Sequence, residues 1–311
     1  MRALSMLLLV LATCGVSSAA DDVDIDKLIR ELRAIKPTDR IKAAYALGQL
    51  GPDAKKAVFS LMATAKDDKD DKVRGFAVHA LGRMGKEAKP ALPTIAKALQ
   101  EDKSKEVRAL AVDALANLGQ ELKEVVPVLI ETLKKDKDLA PRAASALGQL
   151  GPKAEEAVPA LADALKQPAM STYAASALGR IGAPALPPLE AALKAKEKEI
   201  RVNATVALGM IGPKAADALA QALGDSEVAV RRNAFGALGR MGEGSRPAIK
   251  AAIKCLKDSD EDIRLRAAQF LGSHGTAARE AEAALTAALE DKDEMVKAAA
   301  AQALKAVTAK D

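Results

Sequence analysis

Tryptophan is absent from the 311 residues, and with four Phe and two Tyr the aromatic share is 2% of a chain that is 49% hydrophobic. An interior without large rings has to be built from Ala, Leu, Val and Ile, which suits closely packed helices. Histidine and cysteine each occur only twice. His79, His274, Cys14 and Cys255 are far apart in sequence and cannot supply the usual metal-ligand spacings, so no metal or other cofactor is expected. Beyond Ala20 no apolar run is long enough to cross a bilayer. Neither sign of charge dominates: setting Arg2 aside leaves 46 Lys and Arg against 42 Asp and Glu, a net of +4. The charges interleave, as in Lys66-Asp67-Asp68-Lys69-Asp70-Asp71-Lys72, and form no basic stripe.

The first twenty residues read differently from the rest. Arg2 is followed by an apolar run from Ala3 to Ala12 and then by small residues ending Ser18-Ala19-Ala20. These are the three regions of a secretory signal peptide, so residues 1–20 are expected to be removed and residues 21–311 exported, to a periplasm or the outside. A second reading takes Leu11-Ala12-Thr13-Cys14 as a lipobox and leaves a lipid anchor on Cys14, although Thr13 departs from the usual small residue. Cleavage after Ala20 leaves Cys255 alone, so no internal disulfide can form. Its place beside Leu256 in a helical pattern predicts a partly buried, inert thiol.

A repeat runs through everything that follows. Ala-Leu-Gly recurs around Leu47, Leu81, Leu147, Leu178, Leu208 and Leu238, with degenerate copies around Leu115, Leu271 and Leu304. The nine leucines are 34, 34, 32, 31, 30, 30, 33 and 33 residues apart. Periods of this size mean a helical solenoid, in which each helix pair buries its apolar side against the next pair. Eight copies place a second Gly four residues after the Leu, from Gly51 to Gly275, and Pro52, Pro152 and Pro213 follow at once. That Gly is expected to close helix A in the left-handed conformation. The Gly one residue after the Leu lies inside the helix, where it costs about 1 kcal/mol relative to Ala, and implies close approach of a neighbouring helix. A second apolar stripe, such as Ala154, Ala157, Val158, Leu161 and Leu165, predicts helix B.

Helix A opens on an apolar-Arg pair, as in Val73-Arg74 and Ile200-Arg201. Asp68, Asp102, Asp136, Asp225 and Asp258 each stand six residues before an Arg (Arg74, Arg108, Arg142, Arg231, Arg264), and Asp291 stands six before Lys297. This frame resembles the HEAT repeat, in its short bacterial form also called the phycobilisome-lyase HEAT-like repeat, from about Asp24 to Lys310. The resemblance implies an Asp–Arg ladder between successive units, carried to the residues just named. The unit around Leu178 has Met170-Ser171-Thr172 at the Arg opening and no Asp in register, so its rung should be missing. The reading is an all-α, right-handed solenoid of about eight helix pairs, one continuous array with a lone B-type helix at the start and a lone A-type helix over 293–309.

Such a scaffold binds a protein partner, is expected to be monomeric, and needs no catalytic site. Glycine clusters fall between helices and never follow a strand, which excludes nucleotide loops, and nucleophile elbows are missing. HEAT-like DNA glycosylases depend on aromatic and acidic residues in a basic cleft, which this chain lacks, so no nucleic-acid partner is expected. A lyase-like chaperone or enzyme accessory is the alternative. His79 is expected to be a surface residue, and His274, in a slot otherwise apolar, a satisfied core residue. Helix B lines the concave side of solenoids resembling this one. Helical spacing then puts Phe59, Ser60, Thr94, Lys97, Val128, Glu131, Asp163, Asp217, Gln221, Lys250 and Lys254 on the candidate binding face. Phe59 stands where other units have Pro93, Pro127 and Pro159, and is either a packed core ring or a partner anchor.

Overall fold

The structure is a computed structural model describing residues 23–309, and the expected signal peptide with Cys14 lies outside them. Eighteen α-helices alternate between the two types along the described residues. The A helices are α2 (Pro37–Leu50), α4 (Asp71–Gly82), α6 (Lys105–Leu118), α8 (Ala140–Leu150), α10 (Pro168–Ile181), α12 (Lys198–Ile211), α14 (Val228–Gly239), α16 (Glu261–Ser273) and α18 (Glu294–Val307). The B helices are α1 (Ile25–Glu31), α3 (Val58–Asp67), α5 (Leu92–Glu101), α7 (Val125–Lys135), α9 (Val158–Leu165), α11 (Leu186–Ala192), α13 (Ala216–Ala222), α15 (Ile249–Cys255) and α17 (Glu282–Ala288). Eight pairs are therefore flanked by a lone B helix and a lone A helix. The chain is an all-α solenoid.

Local sequence sets the helix starts. Asp70 accepts the amides of Lys72 and Val73 at 2.9 and 3.1 Å and caps α4, and Asp293 caps α18 in the same way. The apolar residues at helical spacing then meet in one continuous core. Leu47, Leu81, Leu115, Leu147, Leu178, Leu208, Leu238 and Leu271 are each 0% exposed, as are Leu61, Ile95, Leu129 and Leu161 on the B helices. Each such side chain contributes about 1.5–3 kcal/mol by leaving water. Substantial packing joins only neighbouring units: an A helix rests on the A helix of the next unit and on the B helix before it. The continuous core is thus a chain of nearest-neighbour interfaces.

The two glycines of the repeat act differently. Gly82 allows the backbones of α4 and α6 to approach so closely that a Cβ built on it would lie 2.6 Å from Ala114 Cα. Equivalent contacts join Gly48 to Ala80, Gly148 to Ala177, Gly209 to Ala237 and Gly272 to Ala303. Ala-Leu-Gly thus works as a lock across units: the glycine of one unit admits the alanine of the next. The second glycine ends the helix, but not in the left-handed helical conformation expected. Gly51 has φ 56° and ψ −130°, a region open essentially to glycine alone. From there the chain enters a 3-10 helix, Gly51–Ala57, whose Ala54 is fully buried. Gly119 is the exception, with φ −63°, and a plain turn over residues 120–124 replaces the 3-10 segment.

Candidate binding face and the ladder beside it

The ladder connects residues further apart than six. Arg40 on α2 donates from Nε and Nη2 to Asp68 at 2.7 and 2.8 Å, and Arg74 on α4 does the same to Asp102 at 2.8 and 2.9 Å. The six-residue pairs are real contacts of another kind. Arg74 Nη1 donates to the main-chain carbonyl of Asp68, while the Asp68 carboxylate belongs to the Arg of the preceding unit. Each Asp therefore serves two units, and its Oδ1 also accepts the amide two residues on, Asp70 for Asp68. Arg201–Asp225, Arg231–Asp258 and Arg264–Asp291 repeat the arrangement. Arg231 makes only one bond to its Asp, at 2.7 Å, and its buried Nε has no partner. Sequence reading missed Arg40 and Arg201 as members. Their common sign was available: every ladder Arg stands seven residues before its Leu.

The side chains of these five pairs are 6–15% exposed. Burial pushes the carboxyls of Asp68, Asp102 and Asp225 up, but the guanidinium bond and the backbone amide outweigh it, so all three rest below the ordinary aspartate value. At Asp291 the Arg264 bond is the largest influence, and the result is again a lowered value.

Two expected pairs fall out, Asp136–Arg142 and Asp291–Lys297. Arg142 stands five residues before Leu147 rather than seven, so it points elsewhere and pairs with Asp113 through two bonds of 2.8 Å. Asp136, whose carboxylate the ladder would pair with Arg108, keeps only the amides of Asp138 and Leu139, each at 3.0 Å, and Arg108 keeps only the Asp102 carbonyl at 2.8 Å. Lys297 bonds Glu294 at 2.7 Å instead of Asp291, because an ammonium has no fork to span two units. Around Leu178 the rung is absent, and Asn203 Nδ2 donates to Ser171 Oγ at 2.8 Å in its place. The gap is wider than the sequence suggested, taking in three joints in a row: α6/α8, α8/α10 and α10/α12.

On the B helices, Phe59 is 70% exposed in the first turn of α3, so it is no core ring. Pro93, Pro127, Pro159 and Pro187 occupy the same register on α5, α7, α9 and α11, all exposed. Thr94 and Lys97 line one open groove of about 1040 Å³ between the last turns of α3 and α5, together with Lys66, Glu101 and the Arg74–Asp102 rung. Glu131 lines a second, of about 510 Å³, between α5 and α7. Ser60 and Val128 are half-buried. Asp163, Asp217, Gln221, Lys250 and Lys254 are exposed on later helices and line neither groove. Charges on this face pair locally: Lys97 with Glu101, Lys135 with Glu131 and Lys166 with Asp163. The face can offer apolar rings and hydrogen bonds, and little net field.

The remaining chemistry-bearing groups are buried or half-buried. His274 is 8% exposed; its Nδ1 donates to the Phe270 carbonyl at 2.8 Å, and Nε2 lies 3.2 Å from the hydroxyl of fully buried Ser245 in the preceding unit. His79 is half-buried rather than superficial, and burial, helped by Arg83, lowers its pKa. Cys255 is 6% exposed, and burial pushes its thiol up to about 11. Among the described residues no three metal-ligating side chains gather, and no helix is long and apolar enough to cross a membrane.

The geometry and the sequence agree on a class, the α-solenoids of helix-pair repeats. The chain belongs to the HEAT-repeat family: the profile for HEAT repeats matches residues 92–173, 167–238, 186–269 and 249–311. No curated protein matches it in sequence. Among solved structures it is similar to Kap121p, with 16% identity over 93% of this chain and 38% of that one and a TM-score of 0.62. Importin beta matches with 17% identity, over 91% and 46%, at a TM-score of 0.58. The chain spans less than half the length of either karyopherin, and at such identities the likeness is one of fold. The complex of CpcE and CpcF of phycocyanin lyase from Nostoc is similar at 21% identity over 94% of this chain and 99% of that one, with a TM-score of 0.37.

Proposed function

We propose that this protein is a non-catalytic scaffold that binds another protein along its B-helix face, outside the cytoplasm. The observation that carries the reading is Phe59. A large ring left 70% in water, on a helix whose apolar side is already filled by Val58, Leu61 and Ala65, stabilises nothing in the free chain. Aromatic side chains of this kind anchor protein interfaces, where they bury much area with little loss of rotamer freedom. The row Pro93, Pro127, Pro159 and Pro187 extends the same register with rigid apolar rings. Export rests on the Arg2-to-Ala20 segment alone.

The test is quantitative capture from the envelope fraction of the source organism with the wild-type chain and with Phe59→Ser. A partner retained by the first and lost at least tenfold by the second supports the reading, and equal retention by both refutes Phe59 as its anchor. An absorbing cofactor co-purifying with the protein would instead favour the accessory-enzyme alternative. Fractionation of the producing cells checks the location, since a cytoplasmic pool still carrying residues 1–20 contradicts export.

A further inference from the structure

We infer that the α6/α8 joint is the point at which the array flexes, and that the Asp113–Arg142 pair is the latch holding its resting angle. Eight joints connect successive A helices. Five carry an Asp–Arg rung, and the α8/α10 and α10/α12 joints, which do not, keep the glycine lock: a Cβ on Gly148 would meet Ala177 Cα at 2.9 Å, and one on Gly179 the Ala207 carbonyl at 3.0 Å. The α14/α16 joint lacks the lock but keeps the Arg231–Asp258 rung, and there Phe235 and Phe270 fill the space edge to face at 6.0 Å. Only α6/α8 has neither. Ala116 stands at the lock glycine, Arg108 and Asp136 do not meet, and Gly119 makes no positive-φ turn.

The polar contacts that cross this joint lie in water. Asp113 and Arg142 are 42% and 48% exposed in their side chains. Gln120 Nε2 donates to the Gln149 carbonyl at 3.0 Å, Lys153 to the Gln120 carbonyl, and Lys105 pairs with Asp138 at 3.2 Å, all exposed. Exposed pairs of charges weaken with salt, whereas rungs 6–15% exposed are screened far less. The latch spans the two A helices themselves, Asp113 on α6 and Arg142 on α8. Its release lets them part about the close approach of Gly119 to the Leu150 side chain, where a Cβ on the glycine would lie 2.7 Å from Leu150 Cδ2. Salt therefore bends this joint and leaves the five rung-bearing joints as they are. The consequence for a scaffold is a binding face divided into a short block over α1–α7 and a longer one over α8–α18, whose mutual angle is adjustable.

Pulsed dipolar distances on the full chain test this. One spin-label pair at Lys66→Cys and Lys166→Cys spans the joint, and a control pair at Gln221→Cys and Glu290→Cys spans only joints with rungs. Both are made with Cys14→Ser, with Cys255 left in place because it is buried. Between about 50 mM and about 1 M salt the first distribution should shift or broaden while the second stays fixed. Asp113→Asn should raise the opened population about two- to five-fold at low salt, the range an exposed pair supports. The swap Asp113→Arg with Arg142→Asp should restore the resting distribution. A spanning pair indifferent to both salt and Asp113→Asn, a control pair that moves as much, or a swap that fails to restore overturns the inference. The salt series on the unsubstituted joint stands whatever the variants do.

Discussion

Replacing either of two glycines at the same place in the repeat with alanine should move stability in opposite directions. At Gly82 a Cβ would lie 2.6 Å from Ala114 Cα and 2.7 Å from Ala114 Cβ, so the obstruction is main chain that no rotamer can relieve. Helix propensity favours the alanine, by about 0.5 kcal/mol at this last position of the helix. Overpacking opposes it by about 1–3 kcal/mol, and a backbone clash belongs at the upper end. The net for Gly82→Ala is a loss of about 2 kcal/mol. At Gly239 a Cβ meets nothing within 4 Å, because Phe270 holds α16 away from α14, and the residue is exposed. Propensity then acts alone, reduced at the last position of the helix, and Gly239→Ala gains about 0.5 kcal/mol. Urea unfolding followed by circular dichroism, with both variants beside the wild type, reads the midpoints. Long repeat arrays need not unfold in two states, so the sign of each shift is the robust observable. Shifts of the same sign and size would falsify the lock between units.

Other consequences follow from the ladder and the buried thiol. Asp102→Asn leaves Arg74 buried and unpaired and should cost about 3–5 kcal/mol, whereas Asp136→Asn, which breaks no ion pair, should cost about 1 kcal/mol or less; thermal melts of the two variants separate these. Asp68, Asp102, Asp225 and Asp291 have pKa values lowered by folding, so their contribution is complete above the unfolded value of about 3.9 and disappears as pH falls through the lower folded values. Unfolding midpoints should decline modestly as pH falls below about 6.5, where the lowered pKa of His79 leaves the unfolded chain binding more protons, and fall steeply below about pH 4 as the ladder aspartates protonate, less steeply in Asp102→Asn; a curve level through pH 4 would contradict this. The Cys255 thiol, raised to about 11 by burial, should react with iodoacetamide at pH 8 only after denaturant is added. Rapid alkylation of the native chain would show that α15 opens locally.

Some of the candidate face could be read before any coordinates. Helical spacing selected Thr94 and Lys97, which share a groove, but also Ser60 and Val128, which line neither groove. Spacing gives a side chain's direction about its own helix and says nothing of how closely the next B helix leans over it. Phe59 shows the same limit. Its register left core and surface equally open, and only the packing of α3 against its neighbours put the ring in water. The ladder erred for a related reason: counting six residues found a carbonyl contact within one unit, while the carboxylate bond closes over 24 to 28 residues between units.

Period, helix pairing, the terminal half-units and the leucine core were all determined by the sequence, because each depends on contacts local to one unit and repeated down the chain. The tertiary structure alone decided which joints are locked and which are not. That outcome turns on distances of a few tenths of an ångström between main chains of adjacent units, and on whether a guanidinium in the right register reaches the next unit's carboxylate, as Arg74 does and Arg108 does not. Differences of that size leave the pattern of apolar residues unchanged, yet at each joint they decide whether a buried ion pair or an exposed one does the holding.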